Sequence, residues 1–279
     1  MPVHEQALLF GPEDSHLGIL TRCDGDAAAS LVCVIPNAGL IYRIGPRRFT
    51  VKLARTLAEA GIPTLRFDLA GVGDSKYVGE SAGARERILA SMKCAFDEIE
   101  RSASARRFIV MGICSGAANG YQAALADARV AGVFMYDGFW YRSRWTTLVF
   151  LAKRARVLGL AGALGAAWRM LRRKRTAEAA QPSSLAANLD SSNPPKEEFI
   201  AQVNELTRRG VRLCFAYGGS VLPYYSYTQQ FRDVFAAQPF FPKVEYRYLP
   251  MVDHMLSSLA AQGALQAAVL EWAGRIAAA

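Results

Sequence analysis

Cys114 stands at the centre of Gly112-Ile-Cys-Ser-Gly116, between an apolar β-rich run and a helical pattern. A strand–G-x-C-x-G–helix segment has the spacing of a nucleophile elbow, with cysteine where serine usually stands. Such a turn puts its central side chain at a helix N-terminus, where the dipole and free backbone N–H groups favour a thiolate. Gly112 and Gly116 are small because strand and helix must approach closely there. The Ser115 N–H is the expected oxyanion donor. Ser115 is also a competing nucleophile, off-centre in the motif. The bland alternative makes Cys114 a small buried hydrophobe in a Gly-rich turn.

A thiol or hydroxyl nucleophile needs a base. The chain has three histidines. His4 and His16 lie at the N-terminal edge, and His254 follows the last strand pattern, which makes His254 the expected base. Asp68 and Asp74, in Asp-Leu-Ala-Gly-Val-Gly-Asp-Ser, are expected to hydrogen-bond within a tight turn. Gly71-Val-Gly73 is not a phosphate loop, because a third glycine and a following Lys-Ser or Lys-Thr are missing. The five cysteines are odd in number and widely spaced, with no CxxC pair. They indicate neither a disulfide framework nor a zinc site, and no metal or redox cofactor is implied.

Eight strand patterns are expected to position these residues: Gln6–Phe10, His16–Thr21, Leu31–Ile35, Pro63–Phe67, Arg107–Gly112, Ala131–Tyr136, Val211–Tyr217 and Val244–Leu249. Helical patterns cover Arg47–Ala60, Ala82–Arg101, the stretch after Cys114 to about Ala126, Tyr225–Ala236 and Ser257–Ala277. Strands alternating with helices imply a parallel sheet covered on both faces. The apolar stretch Phe108–Ala126 reads as strand, turn and helix rather than a membrane span, because Gly112, Gly116, Asn119 and Gly120 interrupt it. The longest uncharged run of Leu148–Trp168 is 12 residues, against the ~20 that a spanning helix needs.

The ordered motifs resemble the α/β-hydrolase superfamily, in its serine-aminopeptidase-like branch. They are most similar to bacterial hydrolases associated with exosortase and surface-polysaccharide genes. The residues that carry the resemblance are Pro36-Asn-Ala-Gly-Leu-Ile-Tyr-Arg-Ile-Gly-Pro-Arg-Arg48, Leu65-Arg-Phe-Asp-Leu-Ala-Gly-Val-Gly-Asp-Ser75, Gly112-Ile-Cys-Ser-Gly-Ala117 and Val252-Asp-His254. The resemblance implies an eight-stranded, mostly parallel sheet with helices on both faces and a helical cap inserted after the sixth strand. It divides the chain into a core, 1–137 plus 211–279, and a cap, 138–210. It also implies an oxyanion loop after the third strand, where an N–H of Ala38 or Gly39 pairs with that of Ser115.

The family usually carries an Asp just after the seventh strand, and Ala216–Tyr225 contains no carboxylate. Asp137, at the end of the sixth strand, is the favoured substitute, since some members of the fold take their acid from there. Asp253 and an acid-free Cys–His dyad are the alternatives. The expected activity is acyl transfer through an acyl-cysteine, as a thioester or ester hydrolase. An acyltransferase and a catalytically silent binding protein are the other readings. The substrate is then a small acyl compound, with coenzyme A and an acyl carrier protein as candidate carriers. Tyr42, Arg43 and Arg47 follow the oxyanion loop and are candidate substrate contacts, surface solvation being the alternative.

The net charge is +9, and the pI near 9.5 superficially suggests nucleic acid. The excess is local. Residues 138–177 hold ten Lys or Arg and no acid, leaving 23 basic and 24 acidic residues elsewhere. The chain therefore reads as a near-neutral protein with one basic insert, and nucleic acid is not among the expected partners. The insert reads as amphipathic cap helices with a solvated basic face, as a contact for an anionic membrane surface, or as a dock for an acidic partner. Met1–Gln6 is not a secretory signal, and the cytoplasm, or the inner face of its membrane, is the expected location.

Overall fold

The computed structural model describes residues 2–24, 30–78, 83–103, 105–153, 155, 156, 159, 165, 168, 193–220 and 225–279. Eight strands form one open sheet: β1 (Val3–Phe10), β2 (His16–Cys23), β3 (Leu31–Pro36), β4 (Thr64–Phe67), β5 (Arg107–Ile113), β6 (Val130–Tyr136), β7 (Arg212–Gly218) and β8 (Glu245–Leu249). Their order is β1-β2-β4-β3-β5-β6-β7-β8. β1–β2 and β2–β4 pair antiparallel, and every other pair is parallel.

The apolar runs have a direct structural reading. In β5, Phe108 and Val110 join the core on one face, while Ile109, Met111 and Ile113 join the core on the other. β3 divides in the same way, Val32 and Val34 against Leu31, Cys33 and Ile35. Successive side chains of a strand point to opposite faces, so a strand buried on both sides must be apolar throughout. Full burial of each such side chain contributes about 1.5–3 kcal/mol.

Among the described residues, the covering layers are supplied by α1 (Phe49–Glu59), α2 (Ala84–Ala103), α3 (Ser115–Ala126), α4 (Lys196–Arg208), α5 (Gln230–Phe235) and α6 (Leu259–Ala277). α1 offers Phe49, Leu53 and Leu57 to one face, joined by Leu265, Val269, Trp272 and Ile276 of α6. The other face takes Met92, Phe96 and Ile99 of α2, Tyr121 of α3, Phe199, Val203 and Leu206 of α4, and Phe231 and Phe235 of α5. The spacing of three and four residues gives each helix one apolar stripe.

Some boundaries differ from the sequence expectation, for local reasons. α1 starts at Phe49, because Pro46–Arg48 form a 3-10 turn in which Arg47 and Arg48 adopt φ of 50° and 61°. α5 starts at Gln230 instead of near Tyr225. Tyr225 lies flat on Tyr217 with ring centroids 3.9 Å apart, and the Ser226 N–H donates to the Gln230 side chain. Those tertiary contacts hold the segment out of the helix.

Residues 146–153 of the basic insert are helical. They are tied to the body by Lys153 Nζ, which donates to the Ser226 carbonyl at 2.5 Å, and by Ser143, whose hydroxyl lies 2.6 Å from that of Tyr227. At the other end of the 138–210 segment, α4 packs on the sheet as the crossover helix between β6 and β7. Arg154, Arg169, Arg172 to Arg175, and the Pro/Ser/Asn-rich stretch to residue 192 lie outside the described residues. Among the described residues, no helix is long and apolar enough to cross a membrane.

Candidate active site

β5 ends directly in the elbow. Cys114 has φ 54° and ψ −120° and precedes the first residue of α3. Positive φ at a non-glycine residue costs about 1–3 kcal/mol and persists only where the surroundings impose it. Here the Cys114 N–H donates to the Tyr136 carbonyl at 2.8 Å, and the Cys114 carbonyl accepts the Ala117 N–H at 3.0 Å. A Cβ at Gly112 would overlap the Ala117 nitrogen and the Gly116 carbonyl, and one at Gly116 would stand 3.0 Å from the Asn37 carbonyl. Both glycines are therefore required by close backbone approach, as their spacing implied.

β8 is followed by the loop that carries His254. Its backbone N–H donates to Ser220 Oγ at 2.8 Å, and the Tyr136 hydroxyl donates to the Asp253 carbonyl at 3.1 Å. The imidazole Nδ1 lies 2.9 Å from Asp137 Oδ2, and the Cys114 side chain is near enough to the same ring to favour its charged form. With Nδ1 turned to Asp137, Nε2 is the nitrogen left for the thiol. Asp137 is fully buried, and its Oδ1 accepts the Gly218 N–H at 2.8 Å.

Asp137, His254 and Cys114 thus come together at one place, with His254 hydrogen-bonded to Asp137 and close to Cys114. The Asp137 carboxylate, and then Cys114, raise the His254 pKa to about 10, against the opposing effect of burial. The imidazolium form is stabilised, which is the form that neutralises a thiolate.

The other acid candidate is engaged differently. The Asp253 carboxylate accepts the N–H groups of Met255 and Ser257 and the Ser257 hydroxyl. It closes a turn and does not orient the ring. Where an acid usually follows the seventh strand, this chain has Gly218-Gly219. A Cβ on Gly218 would come within 2.6 Å of the Val252 carbonyl and 3.3 Å of Asp137 Oδ2. That glycine gives Asp137 both room and a backbone donor.

The loop after β3 approaches the elbow from the other side. The Ala38 N–H points to the Ile41 carbonyl at 3.3 Å, and the Gly39 N–H donates to Ser115 Oγ at 2.7 Å. The Ser115 N–H lies in the first turn of α3, where no intrahelical acceptor exists. Asn37, which the sequence reading did not single out, fixes this loop. Its amide donates to the Gly39 carbonyl at 2.6 Å and accepts the Leu69 N–H at 3.0 Å, and the residue is buried. The available signal was a polar residue directly after an unbroken apolar strand. Ser220, which seats the His254 backbone, carried no comparable signal.

The three candidate substrate contacts separate. Arg43 is ion-paired within the fold. Its guanidinium bridges Asp68 at 2.5 Å and Asp74 at 2.6 Å, and its own N–H donates to Asp68. A fully buried Asp68 needs that partner, so the Arg43 charge is shared with two carboxylates, while the residue also lines the crevice beside Tyr42. Arg47 is exposed on the 3-10 turn. Tyr42 is half-exposed, and it borders with Asn37, Ala38 and Ile113 a narrow crevice beside the elbow.

Sheet order, elbow and acid–base placement together define the α/β-hydrolase fold. No family model and no curated protein matches the chain by sequence. Solved structures do. An esterase of Pyrococcus furiosus superposes with a TM-score of 0.60 at 13% identity, over 98% of this chain and 91% of that one. An α/β serine hydrolase homologue from Coxiella burnetii gives 0.57 at 13% identity, over 96% of each chain. The thioesterase domain from the curacin biosynthetic pathway gives 0.55 at 14% identity, over 97% of this chain and all of that one. At such identities the likeness is one of fold.

Proposed function

We propose that this protein is an ester or thioester hydrolase that works through a covalent acyl-cysteine. The observation that carries the reading is the Asp137–His254 pair, 2.9 Å apart, set beside Cys114 at a strained elbow. The Cys114 thiolate attacks the carbonyl carbon, and the C=O electron pair moves to oxygen. The tetrahedral intermediate collapses by expelling an alcohol or thiol, which takes its proton from the His254 imidazolium. Neutral His254 then removes a proton from water as it attacks the acyl-cysteine. The carboxylic acid leaves, and the sulfur and imidazolium are restored. Asp137 stays ionised and holds the ring, as in the Ser-His-Asp arrangement.

Ser115 is the rival nucleophile. Its hydroxyl is engaged by the Gly39 N–H, whereas Cys114 is near enough to the histidine to act on its charge, so Cys114 is the better placed of the two.

Incubation with a panel of activated esters and thioesters, followed by intact mass measurement, tests the proposal. The wild-type chain is expected to gain one acyl mass, and Cys114→Ala to gain none. An adduct that survives Cys114→Ala, or no adduct and no turnover with any substrate, would overturn it. Adding an amine acceptor during turnover reads whether the acyl group passes to water or to the acceptor.

A further inference from the structure

The loop after β3 has too few vacant backbone donors for the usual pair. The Ala38 N–H is turned to the Ile41 carbonyl, and the Gly39 N–H is taken by Ser115 Oγ. Of the three N–H groups that could face a developing oxyanion, that of Ser115 alone lacks an acceptor among the described residues. A single donor is a weak site, since each oxyanion-hole donor is worth about 10²–10³ in rate.

The Ser115 hydroxyl offers what is missing. A hydroxyl has one proton to donate and two acceptor positions. Among the described residues its single hydrogen-bond partner is the Gly39 N–H, toward which the oxygen accepts. The proton is uncommitted, and the residue is partly exposed directly after Cys114. Gly39 is also held at its other backbone group, since the Asn37 amide donates to the Gly39 carbonyl at 2.6 Å.

We propose that the Ser115 side chain is a catalytic oxyanion donor. Its oxygen keeps the Gly39 N–H while its proton goes to the carbonyl oxygen that becomes negative. The two bonds form a chain, Gly39 N–H to Ser115 O–H to oxyanion, and each bond polarises the next. The Ser115 N–H is the second donor. One residue would thus supply both contacts, and Gly39 would act through it. The inference rests on Cys114 being acylated.

Two reactions of the same sulfur test it. Acylation by an activated ester passes through an oxyanion, and alkylation by iodoacetamide does not. Ser115→Ala is expected to slow acylation at least roughly tenfold, toward the 10²–10³ seen when an oxyanion donor is removed, with the alkylation rate unchanged. Ser115→Thr, which keeps the hydroxyl, is expected to restore most of the acylation rate.

Ser115→Ala also releases the Gly39 N–H. Acylation that stays level or accelerates would show that the backbone group is the true donor and would overturn the proposal. Equal losses in both reactions would assign Ser115 a purely structural role and overturn it too. If the wild-type chain is alkylated but never acylated at Cys114, the acyl-cysteine reading itself falls, and this inference with it.

Discussion

Asp137 sits at the end of β6 with φ 49°, and His254 lies 117 residues further on. Their 2.9 Å contact makes the imidazole a stronger base than a free one, with its pKa raised to about 10 by the carboxylate and then by Cys114. The direction fixes a pH dependence. A histidine whose folded pKa lies above its unfolded value of about 6.5 stabilises the native state fully below that value. The contribution is lost as the pH rises toward 10. Asp137→Asn keeps the bond to Gly218 but removes the charge. It is expected to lower stability most near pH 6, and the gap to wild type is expected to narrow by pH 9.5. Urea unfolding at the two pH values reads this, and a gap of constant size would contradict it. That Cys114 and His254 are the candidate nucleophile and base is legible at this scale, because one Gly-flanked cysteine and one histidine after the last strand leave few choices. The acid was legible only as a preference for Asp137. Nothing local to Asp137, 117 positions from the ring, or to Asp253, adjacent to it, says which carboxylate reaches the imidazole.

The elements set how precisely the elbow is held. β5 and α3 approach so closely at Gly112 that any side chain there meets backbone atoms, which have no rotamer to yield. Gly112→Ala is therefore expected to destabilise the fold by about 1–3 kcal/mol or more, the range for overpacking. It should also lower Cys114 alkylation by displacing the sulfur. Thermal unfolding and the alkylation rate measure the two effects, and an unchanged melting temperature would show that strand and helix part easily. The same scale explains where boundaries were misread. Apolar periodicity extends α1 back to Arg47 and α5 back to Tyr225. Periodicity carries no information on the Gly45-Pro46 turn that puts Arg47 and Arg48 at positive φ, nor on the stacking of Tyr225 on Tyr217. The ion pairs of Arg43 are hidden from periodicity for a related reason. Its two acidic partners come from the loop after β4, and only the neighbouring placement of β3 and β4 brings them together.

For the molecule as a whole, the basic insert and the sheet are joined through α4. Phe199 is buried among the rings of Tyr121, Phe139, Tyr141, Phe215 and Phe235, which come from α3, β7, α5 and the segment after β6. Phe199→Ala is expected to cost about 3–5 kcal/mol, as for other large core aromatics. A loss below about 1 kcal/mol in chemical denaturation would mean that α4 only rests on the surface.

The amino-acid sequence alone determined the class of fold, the strand count, the elbow and the candidate histidine for it. Those are encoded locally, by period-two and period-3.6 apolar patterns and by glycines where backbones meet. The tertiary structure decided which carboxylate serves His254, that Arg43 pairs with Asp68 and Asp74, and that the Gly39 N–H meets the Ser115 hydroxyl. Each of these is a contact between residues dozens of positions apart, and its energy depends on a distance that the sheet order sets.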